Sequence, residues 1–117
     1  MPKPDGSNPS VAAFWDALYA AGADVIINGH DHDYERFAPQ NPAGKVDDAH
    51  GIRQFVVGTG GRSLRAKGIG APNSQVFSST YGVIKLQLKA DSFVWRFIPV
   101  AGQTFTDRGT GLTHGPP

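Results

Sequence analysis

The chain has no cysteine. Disulfides and thiolate metal sites are therefore excluded, and any metal must be held by nitrogen and oxygen ligands. The redox compartment stays open, because a protein without thiols works in either. Charge of one sign is lacking too. Eleven basic residues stand against ten acidic ones, a net +1, which argues against binding nucleic acid or an anionic membrane through overall charge. No apolar run is long enough to span a bilayer, and the opening Met1-Pro2-Lys3-Pro4-Asp5-Gly6 has no apolar signal core. The expectation is a soluble chain with neither nucleic acid nor membrane among its partners.

What is present fits one globular domain. The 117 residues, 39% hydrophobic and 18% charged, suffice for a modest core. Fifteen glycines and nine prolines predict long loops around a small regular framework. Asn8-Pro9 reads as a helix start, with Asn8 as N-cap and Pro9 at the first helical position. Val11, Phe14, Trp15, Leu18 and Tyr19 recur on one helical face, and Gly22 stops the helix in the C′ position. Val25-Ile26-Ile27-Asn28 follows as a short strand with apolar residues on both sides, which suits burial on both faces. Gln54-Phe55-Val56-Val57 is the next strand, broken by Gly58-Thr59-Gly60-Gly61. The stretches 37–51 and 62–79 read as loops, the second without clear periodicity.

Residues 81–98 form an antiparallel hairpin. Ile84, Leu86 and Leu88 alternate with a wet face in its first strand, and Phe93, Trp95 and Phe97 share one face of its second. Residues 103–106 are a candidate extra strand, and the Gly-, Thr- and Pro-containing tail from Arg108 is expected to fray. There is no internal repeat and no domain boundary, so residues 1–117 are one domain. Its expected class is α/β in the broad sense, more strictly α+β: a helix, a buried strand, then mostly antiparallel strands with the hairpin last.

The densest cluster of possible metal ligands is Asn28-Gly29-His30-Asp31-His32-Asp33-Tyr34-Glu35-Arg36, at the carboxyl end of the first strand. In α/β arrangements sites form beyond that end of the strands. Alternate residues of an extended segment point to one side, so His30 and His32 are expected to reach one metal or two adjacent ones, with Gly29 allowing close backbone approach. Asn28, Asp31 and Asp33 are candidates for orienting the imidazoles, and solvated loop carboxylates are an equal alternative for the two acids. Tyr34, Glu35 and Arg36 are expected to fix the loop by packing and by a Glu35–Arg36 or longer-range ion pair. Gly58-Thr59-Gly60-Gly61 could offer backbone N–H groups to a phosphate, with a plain tight turn the favoured alternative. Gly60, Gly61 and Arg62 are the candidate substrate-side residues. Arg62, Arg65 and Lys67 read more readily as a solvated basic loop. His50 and His114 read as ordinary exposed histidines.

The Gly-His-Asp-His-Asp-Tyr-Glu-Arg block resembles the last signature block of the calcineurin-like metallophosphoesterases, in their purple-acid-phosphatase-like form. The preceding helix, the Val56-Val57-Gly58-Thr59-Gly60-Gly61 segment and the hairpin closing on Phe93-Val94-Trp95-Arg96-Phe97 extend the resemblance over about residues 7–108. The metallo-β-lactamase pattern fails, because it requires Asp and His where Tyr34 and Glu35 stand. The resemblance implies a β-sandwich flanked by helices. It also implies a site for two divalent or trivalent ions (iron, zinc or manganese), with His30 on one and His32 on the other. The implied reaction is hydrolysis of a small-molecule phosphoester, in which a metal-activated hydroxide attacks phosphorus.

The family's earlier blocks, an Asp-x-His, a Gly-Asp, a Gly-Asn-His and a further lone His, do not occur in this chain. It therefore resembles the C-terminal part of such a domain, supplying half of a dinuclear site and not active alone. Relatives with the Tyr-Glu-Arg extension are often exported, which leaves the compartment of this chain unassigned. The alternative is a non-catalytic half-fold that binds metal, or that dimerises to cover its exposed sheet face, one form of which pools two His pairs into a four-His site.

Overall fold

The computed structural model describes residues 9–66 and 71–117. The expected cap Asn8 and the basic residue Lys67 lie outside them. The fold is α+β, with one helix and two mostly antiparallel sheets.

Helix α1, Pro9–Ala20, starts on its proline as expected. It ends in a Schellman motif: the Gly22 N–H donates to the Tyr19 carbonyl at 3.0 Å and the Ala23 N–H to the Leu18 carbonyl at 3.0 Å. Gly22 sits at φ +81, a left-handed conformation that favours glycine. The apolar stripe is only partly covered. Trp15 is buried, but Phe14 is 67% and Leu18 38% exposed.

The first sheet has the order β1-β3-β2-β4, with β1 at Val25–Asn28, β2 at Tyr34–Phe37, β3 at Arg53–Val57 and β4 at Ser74–Ser78. β1 pairs with β3 in parallel, and the other pairings are antiparallel. Two expectations are corrected here. β1 is an edge strand of this sheet, with Ile27 45% exposed, and is not buried on both faces. The supposed loop 62–79 contains β4, whose Ser-Gln-Val-Phe-Ser sequence hides its strand character because only Val76 and Phe77 are apolar.

The second sheet has the order β5-β6-β7, with β5 at Gly82–Leu88, β6 at Ser92–Pro99 and β7 at Arg108–Leu112. The hairpin is as expected, with Lys85 opposite Arg96 and Leu86 opposite Trp95. The tail does not fray. β7 pairs along β6, so the additional strand lies at Arg108–Leu112 and not at residues 103–106. Gly109 and Gly111 are opposite Trp95 and Phe93, and a Cβ at either position would overlap the ring beside it. The two aromatic rings lie over strand backbone where side chains would otherwise stand.

The sheets share one core of Tyr34, Phe55, Phe93, Trp95 and Phe97. A polar clasp runs through it. The Asp107 carboxylate, at the threshold of β7, accepts hydrogen bonds from the Tyr34 hydroxyl at 2.5 Å and Arg36 Nε at 2.8 Å, both on β2 in the other sheet. The guanidinium groups of Arg36 and Arg53 stand over the Trp95 ring, 5.2 and 4.9 Å from its centre. Of the two ion pairings expected for Arg36, the longer-range one forms. Burial opposes the Asp107 charge, but the bonds from Arg36 and Tyr34 outweigh it and hold the carboxyl below its ordinary value. Burial and the bond to Asp107 push the Tyr34 phenol upward, so it remains a proton donor.

Asp107→Ala should destabilise the fold by on the order of 2–4 kcal/mol, because it strands a mostly buried guanidinium and phenol. Asp107→Asn isolates the charge. A carboxyl depressed in the folded state contributes stability above its unfolded value of about 3.9, and that contribution is lost as pH falls through the lower folded value. Urea unfolding of wild type and Asp107→Asn should therefore differ fully above about pH 4 and converge below it. A gap unchanged down to pH 2 would exclude the charged clasp.

Candidate metal centre

β1 and β3 are the parallel pair, so the loops leaving their carboxyl ends emerge side by side. The first carries His30 and His32, and the second is Gly58-Thr59-Gly60-Gly61. They touch through backbone: the Gly58 N–H donates to the Asp33 carbonyl at 3.0 Å, and a Cβ at Gly58 would overlap the Asp31 carbonyl. Nothing crowds Gly29. The glycine that permits close approach is therefore Gly58, a residue first read as a turn.

The histidine loop is not extended. The Asp31 N–H bonds to the Gly29 carbonyl at 3.0 Å and the Asp33 N–H to the Asp31 carbonyl at 2.9 Å, two tight successive turns. His30 takes φ +75, in the left-handed region. Strand alternation therefore does not set the direction of the two imidazoles.

His32 is gripped at two points. Its carbonyl accepts from the Arg65 N–H at 2.8 Å, and its ring Nδ1 lies 2.9 Å from the Ser63 carbonyl oxygen. A carbonyl only accepts, so Nδ1 carries the proton and Nε2 the lone pair. This is the tautomer in which a backbone-anchored histidine ligates metal through Nε2. His30 is exposed.

The surrounding candidates separate by role. Asp31 and Asp33 ion-pair with Arg65, at 3.4 and 3.3 Å, so both carboxylates brace the loop against the segment 63–65. Asp33 is 1% exposed and is therefore no solvated loop acid. Asn28 accepts from Gln54 Nε2 at 3.2 Å, within the sheet. Gly60, Gly61 and Arg62 are exposed beside the site. Arg65 is the basic residue that reaches the loop. Its sequence context gave no reason to prefer it to Arg62, since the pairing spans more than thirty positions.

His114 is not an ordinary exposed histidine. Its Nε2 lies 3.0 Å from the Gly51 carbonyl and 3.3 Å from Asp24, and its backbone N–H donates to Asp24 at 2.9 Å. The His50 ring stands edge-on to it, 6.0 Å away. Asp24 precedes β1, so this pair lies at the opposite end of that strand from His30 and His32. Among the described residues, no group of three or more His, Cys, Asp or Glu side chains is placed to hold a metal ion. The loop carries two imidazoles, the ligand type a nitrogen-and-oxygen metal site uses, and backbone sets the tautomer of one of them.

Gly58→Ala should cost more than about 2 kcal/mol, because backbone on both sides must move, whereas Gly60→Ala, in open space at an ordinary φ, should stay within about 0.5 kcal/mol. Denaturant unfolding of the two variants checks this, and equal effects would mean that the loops do not abut. In comparisons with models of known families, with curated proteins and with solved structures, the chain matches none.

Proposed function

We propose that this chain supplies His30 and His32 to a two-metal centre that hydrolyses small-molecule phosphoesters, the remaining ligands coming from outside the described residues. The observation that supports this reading is the His32 ring, held through Nδ1 by the Ser63 carbonyl on a loop beyond the parallel pair, which leaves Nε2 as the atom to offer an ion. The Gly-His-Asp-His-Asp-Tyr-Glu-Arg resemblance supports it. His30 and His32 would hold one ion each, of iron, zinc or manganese. Such ions supply Lewis acidity and an activated water for attack on phosphorus. The chain's own part is positional. Gly58 lets the second loop support the first, Arg65 ties down Asp31 and Asp33, and Ser63 sets the His32 proton.

No helix among the described residues is long and apolar enough to cross a membrane. Phe14 and Leu18 on the helix and Ile27 on the edge strand β1 are exposed, which favours a second reading in which such apolar surface is covered by association, with another copy in the simplest case. Sedimentation velocity distinguishes them: a monomer up to high micromolar concentration removes the homodimer.

Isothermal titration with Zn²⁺ or Mn²⁺ should give binding that weakens at least tenfold in both His30→Ala and His32→Ala, while 4-nitrophenyl phosphate turnover by the chain alone stays near background. Metal binding indifferent to both substitutions would remove the proposed centre. Vigorous turnover lost in His30→Ala would mean that the ligand set is complete within the chain.

A further inference from the structure

A cleft of about 600 Å³ lies at the same end of the sandwich as the histidine loop. That volume is in the range of small-molecule sites. Its walls are mostly apolar, from Tyr81, Val83, Ile98 and Val100, and one edge is the bare backbone of Gly60 and Gly61. It forms where the segment leaving β3 crosses to the start of β5 and the end of β6. The crossing is doubly bonded: the Gly82 N–H donates to the Thr59 carbonyl at 3.1 Å, and the Thr59 hydroxyl to the Gly82 carbonyl at 2.8 Å. The Val100 N–H closes the far wall on the Tyr81 carbonyl at 2.9 Å.

We infer that this cleft takes the aromatic body of an aryl phosphomonoester, which narrows the phosphoester class of the proposed centre, the reading on which this inference rests. Continuity of chain carries it: Gly58 packs on the histidine loop, and the next three residues border the cleft. A ligand spanning both therefore meets histidines and glycine backbone at one end and hydrocarbon at the other. That matches a molecule with an anionic head and an apolar body. A sugar phosphate would gain little from Val83, Ile98 and Val100, whereas an aromatic ring laid on them removes hydrocarbon from water on both sides. Open space at the Gly60 Cβ position leaves the edge between head and body unobstructed.

The test uses the metal-free chain, so that it does not depend on the ions. Amide NMR titration with 1-naphthyl phosphate should give saturable shifts at Gly60, Gly61, Gly82 and Val83, with affinity at least tenfold above that of glucose 6-phosphate. Val100→Asp, at a position 48% exposed, should keep the melting temperature and weaken naphthyl phosphate at least tenfold. If it fails to fold, Val83→Asp, at 58% exposure, serves instead. Shifts confined to other regions, equal affinity for the two phosphates, or an indifferent rim variant would overturn the inference. Calorimetric titration of the wild-type chain with Zn²⁺ in the absence of naphthyl phosphate is the companion measurement. Loss of cleft binding with metal binding intact refutes the cleft alone, and cleft binding without any metal affinity in wild type refutes the phosphoesterase reading alone.

Discussion

The Asp107 clasp is the constraint on which the two sheets depend for their register. Apolar contacts alone would let them slide, since Phe55, Phe93, Trp95 and Phe97 offer broad surfaces that pack in more than one way. A carboxylate that must meet both a phenol and a guanidinium leaves little such freedom. Any register that separated the partners would leave a buried charge uncompensated, at a cost of several kcal/mol. The position of Tyr34 and Arg36 gives the clasp its functional weight. They follow directly after the histidine loop, so fixing β2 against the second sheet also fixes where that loop ends. Trp95 extends the same constraint to β3 through Arg53, whose guanidinium burial and the neighbouring Arg36 charge hold below its ordinary pKa.

The candidate centre is thus built mainly from main chain. Gly58 against Asp31, Ser63 against the His32 ring and the Arg65 N–H against the His32 carbonyl are all contacts in which backbone is one partner or both. Arg65 braces the acids through its side chain, and it is half exposed, so its ion pairs to Asp31 and Asp33 are screened on one side. Rigidity in the loop comes from shape and hydrogen bonds more than from charge.

Elements with a local period were legible in the sequence. The helix, β3 and the β5–β6 hairpin show their pattern within a few residues, and the Schellman stop was visible in Gly22. β7 was not legible, because its defining partners are the rings of Trp95 and Phe93, far away in sequence. A Gly-x-Gly spacing that can be set against Phe-x-Trp was the available signal. β2 was concealed for another reason: Tyr-Glu-Arg reads as polar loop chemistry, whereas Tyr34 and Arg36 turn inward to the clasp. At the candidate site, the two histidines were legible as residue types. The supports were not, since Gly58, Ser63 and Arg65 acquire their roles only by folding back onto residues 31–33.

His30 has a further consequence. A non-glycine residue in the left-handed region costs on the order of 1–2 kcal/mol against an ordinary conformation. Glycine or asparagine would occupy that position more comfortably, so a chain optimised for stability alone would not keep histidine there. The backbone stores a small strain at the residue proposed to bind metal, and that strain is spent before any ion arrives. Were His30 to ligate the proposed ion, fold and site would set opposite preferences at this single position.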